Sequence, residues 1–191
     1  MKQLFTEGAV LDAALDIVRE KGHEAVSMRS VAERAGCSVQ PLYSMFGDKD
    51  SFMSALYGHG LKWVESYNVA HAQDASNAFA ANGLAHIRIA QTEPRLFAFL
   101  YLSSFVEVSS MDGLLSIAAQ PGVEEEIMAR WDLSAEDARS FYLDMVIYTH
   151  GLATLLVAGA QLTDAALTER MNGAFRAFAA RYGIDVERGS L

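Results

Sequence analysis

The stretch AERAGCSVQPLYSMFGDKDSF, Ala32 to Phe52, limits the possible folds more than any other part of the chain. A helical run ends at Gly36, restarts behind Ser38 and breaks again at Gly47. Ser27 opens the first run, where a serine hydroxyl can accept an orphan backbone N–H. Met28, Val31, Ala32 and Ala35 form its inward face. Two short helices joined by a glycine-containing turn make a helix-turn-helix unit. With Ser38 as cap, the second helix covers about Val39 to Met45 and Pro41 is its third residue. The missing proline N–H has no intrahelical partner in the first turn anyway. Pro41 therefore stiffens the helix start, where base-reading side chains sit.

Helical periodicity extends on both sides. Val10, Ala14, Ile17 and Val18 make an apolar stripe on a helix from about Leu4 to Lys21, closed by Gly22. Asp48 caps a helix from about Lys49 to His71, and further helices cover Ser76 to Thr92 and Pro94 to Phe105. A less regular part follows from Glu107 to Ala119, then a Pro121-Gly122 turn and a helix to Trp131. SAED, with Ser134 and Asp137, reads as a capping box for a helix to about Ala160. The last helix runs from Thr163-Asp164 to near Tyr182-Gly183, and the tail from Asp185 is expected to fray. With 51% hydrophobic residues and 3 prolines in 191 residues, the expectation is an all-α chain. The expected domains are residues 1–50, a three-helix helix-turn-helix domain, and residues 51–191, a second helical domain.

Several classes of protein fit poorly. Cys37 is the single cysteine, so neither an internal disulfide nor a cysteine-cluster metal site is available, and a reducing cytoplasm is the expected location. The N-terminus, with acids at Glu7 and Asp12, does not read as a signal peptide. The apolar run from Met145 to Ala160 contains His150 and is too short for a spanning helix. No membrane association is expected. Net charge is −9, with 6 basic and 8 acidic residues before position 51, which speaks against general nucleic-acid affinity. His23, His59, His71, His86 and His150 are scattered, and no phosphate loop, His-Glu-x-x-His or Gly-x-Ser-x-Gly occurs. Glu124-Glu125-Glu126 suits a helix N-terminus. No enzyme, cofactor or metal is expected.

The helix from Ala135 to Ala160 carries two apolar stripes. One is Phe141, Met145, Tyr148, Leu152 and Leu155; the other is Leu143, Ile147, His150, Thr154 and Val157. A helix apolar nearly all round must be covered on nearly all sides. A domain of this size seldom manages that alone, so a homodimer interface is expected here. It would use Ile147, His150, Gly151 and Thr154, with Phe175 and Phe178 of the last helix. Gly151 weakens a helix interior by about 1 kcal/mol relative to alanine. Close helix approach, either between subunits or within the domain, would account for it.

Residues 8–57 resemble the N-terminal domain of the TetR family of bacterial transcriptional regulators. The matching stretches are AVLDAALDIVREKGHEAVSMRSVAERAGCS, LYSMF and DKDSF. YTHGLATLL, Tyr148 to Leu156, is similar to a His-Gly signature in one class of C-terminal domains of that family. The resemblance implies a regulator, here a repressor, that leaves a palindromic double-stranded operator when a small, largely apolar effector binds its C-terminal domain. Two departures stand out. Val39 occupies a position where the family often has Lys or Arg, and Ser44-Met45 one where it often has Tyr-His. An alternative is therefore a TetR-like small-molecule or partner-binding protein that has lost DNA binding.

The resemblance also places the candidate residues. Gln40 can pair bidentately with adenine, and Val39 and Pro41 can touch thymine methyls. Tyr43 is similar to the family's phosphate-contacting tyrosine, with Ser44 beside it. Ser27, Arg29 and Lys49, at helix starts, are placed to bind phosphate. Leu42 and Phe46 read as core. The implied effector pocket draws on Trp63, Tyr67, Phe99, Phe105, Tyr142 and Met145, with His86 and Thr149 as its polar groups.

Overall fold

A computed structural model describes residues 6–72, 75, 77–106, 110, 113, 115 and 120–185. The protein is all-α, with no strand among the described residues. The helices are α1 (Glu7–Lys21), α2 (Met28–Ala35), α3 (Val39–Phe46), α4 (Lys49–Ala70), α5 (Ala78–Thr92), α6 (Pro94–Tyr101), α7 (Val123–Trp131), α8 (Ala135–Val157) and α9 (Asp164–Arg181), with a 3-10 turn at His23–Ala25. Most of the irregular part expected at 107–119 lies outside the described residues, as do residues 1–5 and most of the C-terminal tail.

The local signals act where the sequence places them. Thr6 caps α1 by accepting from the Ala9 N–H at 3.2 Å, so the helix starts at Glu7. Ser27 and Ser30 form a reciprocal capping box at the start of α2. Gly36 takes φ 72°, a left-handed conformation open to glycine, and turns the chain from α2 into α3. Ser38 stands at the N-cap of α3 but forms no side-chain cap bond, unlike Ser27. Asp48 accepts from the Ser51 N–H at 2.8 Å at the start of α4. Ser134 accepts from the Asp137 N–H at 3.1 Å and donates to its carboxylate at 2.7 Å.

Two helices stop earlier than periodicity suggests. α6 ends at Tyr101 rather than Phe105 because the Ser103 hydroxyl donates to the Phe99 carbonyl at 2.6 Å and accepts from the Phe105 N–H at 3.3 Å. A serine bonding locally competes with the helical ladder. α8 ends at Val157, where Gly159 takes φ 98° and the Ala160 N–H returns to the Leu155 carbonyl.

The chain divides into two compact units, residues 1–66 with 93–106, and residues 67–92 with 107–191. The division differs from a cut after residue 50, because residues 49–66 of α4 and all of α6 group with α1. In the first unit Val10, Ala14, Ile17 and Val18 are buried as the stripe implies, with Leu42, Phe52, Leu56, Phe97 and Leu100. Phe46 is half-buried, edge-on to Phe52 with centroids 4.9 Å apart. A Cβ on Gly60 would lie 2.8 Å from Leu100, so glycine there lets α4 approach α6 closely. Arg19 of α1 donates to both carboxylate oxygens of Glu93, ahead of α6, and its guanidinium lies 5.4 Å from the Trp63 ring centroid.

In the second unit α8 packs against α5, α7 and α9. Phe79, Trp131, Phe141 and Phe175 make an aromatic core with neighbouring centroids 5.5 to 6.3 Å apart. The whole of α8 is longer than the apolar run read from the sequence, and by length and composition it is long and apolar enough to cross a membrane. Here it forms the core of a helical unit, with Phe141, Tyr142, Met145 and Thr149 buried. Its coverage is incomplete within one chain, since Ile147 is 44% and Leu155 53% exposed.

Candidate functional site

The candidate recognition element is α3, held by Leu42, which is completely buried beneath it. Leu42 anchors one face and leaves the other to solvent. Gln40, Tyr43, Ser44 and Met45 are exposed, while Val39 and Pro41 are half-buried at its start. Met45 enters the sequence reading only as a departure, yet at 39% exposure it shares this surface with Tyr43. Ser44 donates to the Gln40 carbonyl at 3.1 Å, so its hydroxyl proton is engaged within the helix.

Three flanking residues were expected at phosphates. The Ser27 hydroxyl caps α2 by accepting from the Ser30 N–H at 3.0 Å. Arg29 and Lys49 are exposed and make no ion pair among the described residues, so both remain available to an anion. Arg34, by contrast, is paired with Glu20. The field around Lys49 is not purely positive, because Asp48 and Asp50 flank it. The Ser51 backbone N–H holds the Asp48 carboxyl below the usual carboxylate range.

The second unit contains a cavity of about 30 Å³ between α5, α8 and α9. Phe79, Ala80, Asn82, Gly83, His86, Tyr142, Met145, Val146, Thr149 and Met171 line it. Four of the expected ligand-binding residues are there: His86, Tyr142, Met145 and Thr149. The other four are elsewhere. Trp63, Phe99 and Phe105 belong to the first unit, where Phe99 is fully buried and stacks on His23 with centroids 5.4 Å apart. Tyr67 stacks on His71 at 4.1 Å. Periodicity shows that these aromatics face inward but not which unit each helix joins. Asn82, Gly83 and Met171 were not anticipated; the small polar and glycine positions of α5 carry no apolar signal.

The cavity's polar groups are electrically neutral. The Tyr142 hydroxyl accepts from Asn82 Nδ2 at 2.8 Å and from the Gln120 N–H at 3.2 Å. Burial pushes the phenol up to about 12, against these hydrogen bonds. His86 Nε2 lies 3.3 Å from His150 Nδ1. Burial, and then the neighbouring His150 charge, push His86 down to about 3. Burial also lowers His150.

Of the residues expected at a dimer interface, Ile147 and Gly151 are exposed. A Cβ on Gly151 would meet nothing within 4 Å, so packing inside the chain does not explain this glycine. His150 and Thr154 are half-buried, Thr154 donating to the His150 carbonyl at 2.8 Å. Phe178 is half-buried, edge-on to Tyr148. Phe175 is 3% exposed in the aromatic core and so presents no surface to a second subunit; an aromatic on the inward stripe of α9 is taken up by its own unit.

Residues 10–56 match the family model described as bacterial regulatory proteins, tetR family. The match lies within the first unit and takes in α2, α3 and the turn between them. Over 57 residues the chain is 39% identical to the HTH-type transcriptional repressor KstR of Mycolicibacterium smegmatis, a match that covers 30% of this chain and 28% of the repressor's length. The TetR-family likeness continues at the level of fold. A TetR family transcription regulator from Marinobacter aquaeolei VT8 superimposes with a TM-score of 0.56 at 20% identity, covering 88% of this chain and 93% of that one. A TetR-like transcriptional regulator from Rhodococcus sp. RHA1 gives 0.54 at 22% identity, covering 93% and 99%.

Proposed function

We propose that the protein is a homodimeric TetR-family transcriptional repressor that binds a palindromic operator and is released by a small effector. The observation that carries the reading is α3. A family-matched helix, anchored by Leu42, leaves Gln40 and Tyr43 exposed on one surface, with Arg29 and Lys49, which make no ion pair among the described residues, at neighbouring helix starts. Gln40 reads a base edge, Val39 and Pro41 border it, and Tyr43, Ser27, Arg29 and Lys49 hold phosphates. Ser44 joins them only after giving up its bond to the Gln40 carbonyl.

The dimer is supported by α8, where Ile147, Gly151 and Leu155 recur every four residues on one exposed face. Residues at that spacing lie in line along a helix. A two-fold pairing of such faces gives each operator half-site one α3 in successive major grooves. The effector lowers DNA affinity by favouring a dimer geometry whose α3 spacing no longer fits. It needs no contact with DNA.

A competing reading, in which DNA binding has been lost, draws on the −2 balance of residues 1–50 and the acids beside Lys49. One experiment separates the two. Selection of bound sequences from random duplexes by the purified protein is expected to yield a palindrome, with affinity falling steeply with salt at a slope of several phosphates. Folded protein that enriches nothing in low salt would establish the competing reading.

A further inference from the structure

The cavity wall carries a threonine hydroxyl. Thr149 is 5% exposed, lines the cavity, and finds no hydrogen-bond partner among the described residues. A hydroxyl at a cavity wall can donate to, or accept from, a polar group that enters the cavity. The residues around it define what that partner can be. No charged side chain lines the cavity. His86, its one basic group, contacts His150 ring to ring at 3.3 Å, a contact two neutral imidazoles can make as donor and acceptor. Tyr142 keeps its proton, and its oxygen is taken up by Asn82 and the Gln120 N–H. The rest is apolar: Phe79, Val146 and the thioethers of Met145 and Met171.

An ion entering this site would lose its hydration and meet no counter-charge. A neutral carbonyl or hydroxyl would satisfy Thr149 and leave its apolar body against the methionines and Phe79. At about 30 Å³ the cavity has room for little more than water, so the wall must give. A Cβ on Gly83 would lie 3.3 Å from the Met171 methyl, which therefore sits close over α5 and forms a flexible part of the wall.

We infer that the cavity takes an uncharged small molecule bearing a carbonyl or hydroxyl, that Thr149 is the group that recognises it, and that carboxylates and amines of the same skeleton are refused. The inference rests on the effector reading above and names the chemical class of that effector.

The test uses the full chain with 13C-methyl methionine and five probes that share one ring: acetophenone, benzyl alcohol, toluene, benzoate and benzylamine. Titration is expected to shift the Met145 and Met171 methyl signals with acetophenone and benzyl alcohol, each binding at least about tenfold tighter than benzoate or benzylamine. Thr149→Val should remove most of the preference for acetophenone over toluene, and Thr149→Ser should keep it. Benzoate or benzylamine binding as well as the neutral probes would overturn the proposal. So would an unchanged acetophenone-to-toluene ratio in Thr149→Val, or methyl signals that no probe moves. The wild-type comparison decides the class even if the valine variant does not fold. Binding as expected with operator affinity unchanged would leave the ligand class standing and remove only the effector reading.

Discussion

At the scale of single residues, the turn and the recognition helix make separable demands. Gly36 is held at φ 72°, and nothing lies within 4 Å of a Cβ built there. Gly36→Ala therefore meets no clash and pays only for the left-handed backbone. A loss of about 1–2 kcal/mol in chemical denaturation is expected. Gln40 and Tyr43 are both exposed on α3 but are proposed to do different work. Gln40→Ala should cost about 1–3 kcal/mol and relax one operator position, while Tyr43→Phe should weaken every sequence alike. Competition binding against single-base operator variants checks both; a uniform loss with Gln40→Ala would make it a positioning residue.

At the scale of elements, α8 presents two different faces. Phe141, Tyr142, Met145 and Thr149 face the core and cavity of their own unit. Ile147, Gly151 and Leu155 face out, with Leu155 53% exposed. Placing a charge on the outer face leaves the inner packing intact. Leu155→Glu is expected to give a folded, helical monomer by sedimentation at micromolar concentration, where a dimer is expected of the wild type. A wild-type monomer under those conditions would refute the α8 interface. Gly151→Ala adds a companion test. Without a partner it should stabilise the helix by about 1 kcal/mol, so a weakened dimer would mean that the subunits approach closely there.

At the scale of the whole molecule, stability should depend on pH through the second unit. His86 is pushed down to about 3 by burial and by His150, from an ordinary value of 6.5. Below 6.5 the unfolded chain takes up a proton that the folded chain does not, so stability falls as pH falls toward 3. The slope from this group approaches about 1.4 kcal/mol per pH unit below pH 6. Thermal unfolding of wild type and His86→Gln between pH 7.5 and 5, on the order of one unit either side of the free imidazole pKa, should show the variant losing less stability on acidification. Parallel curves would mean that His86 is protonated as readily in the folded protein as in the unfolded chain.

The sequence by itself determined the helices and their punctuation. Thr163, Ser134, Ser27, Gly22 and Gly36 act through bonds and dihedrals within a few residues, so their roles are visible in a short window. It also determined the helix-turn-helix unit and the exposure of Gln40 and Tyr43, because one buried residue, Leu42, orients so short a helix. The tertiary structure alone decided which inward-facing aromatics share a compartment. Phe99 and Tyr142 carry the same apolar signal, but α6 packs on α1 while α8 packs on α5. That choice depends on contacts between residues far apart in the chain, which no local pattern encodes. The same holds for Phe175, claimed by its own core, and for Thr149, placed at a cavity wall. Hydrophobicity says that a side chain will be covered; only the assembled fold says by what.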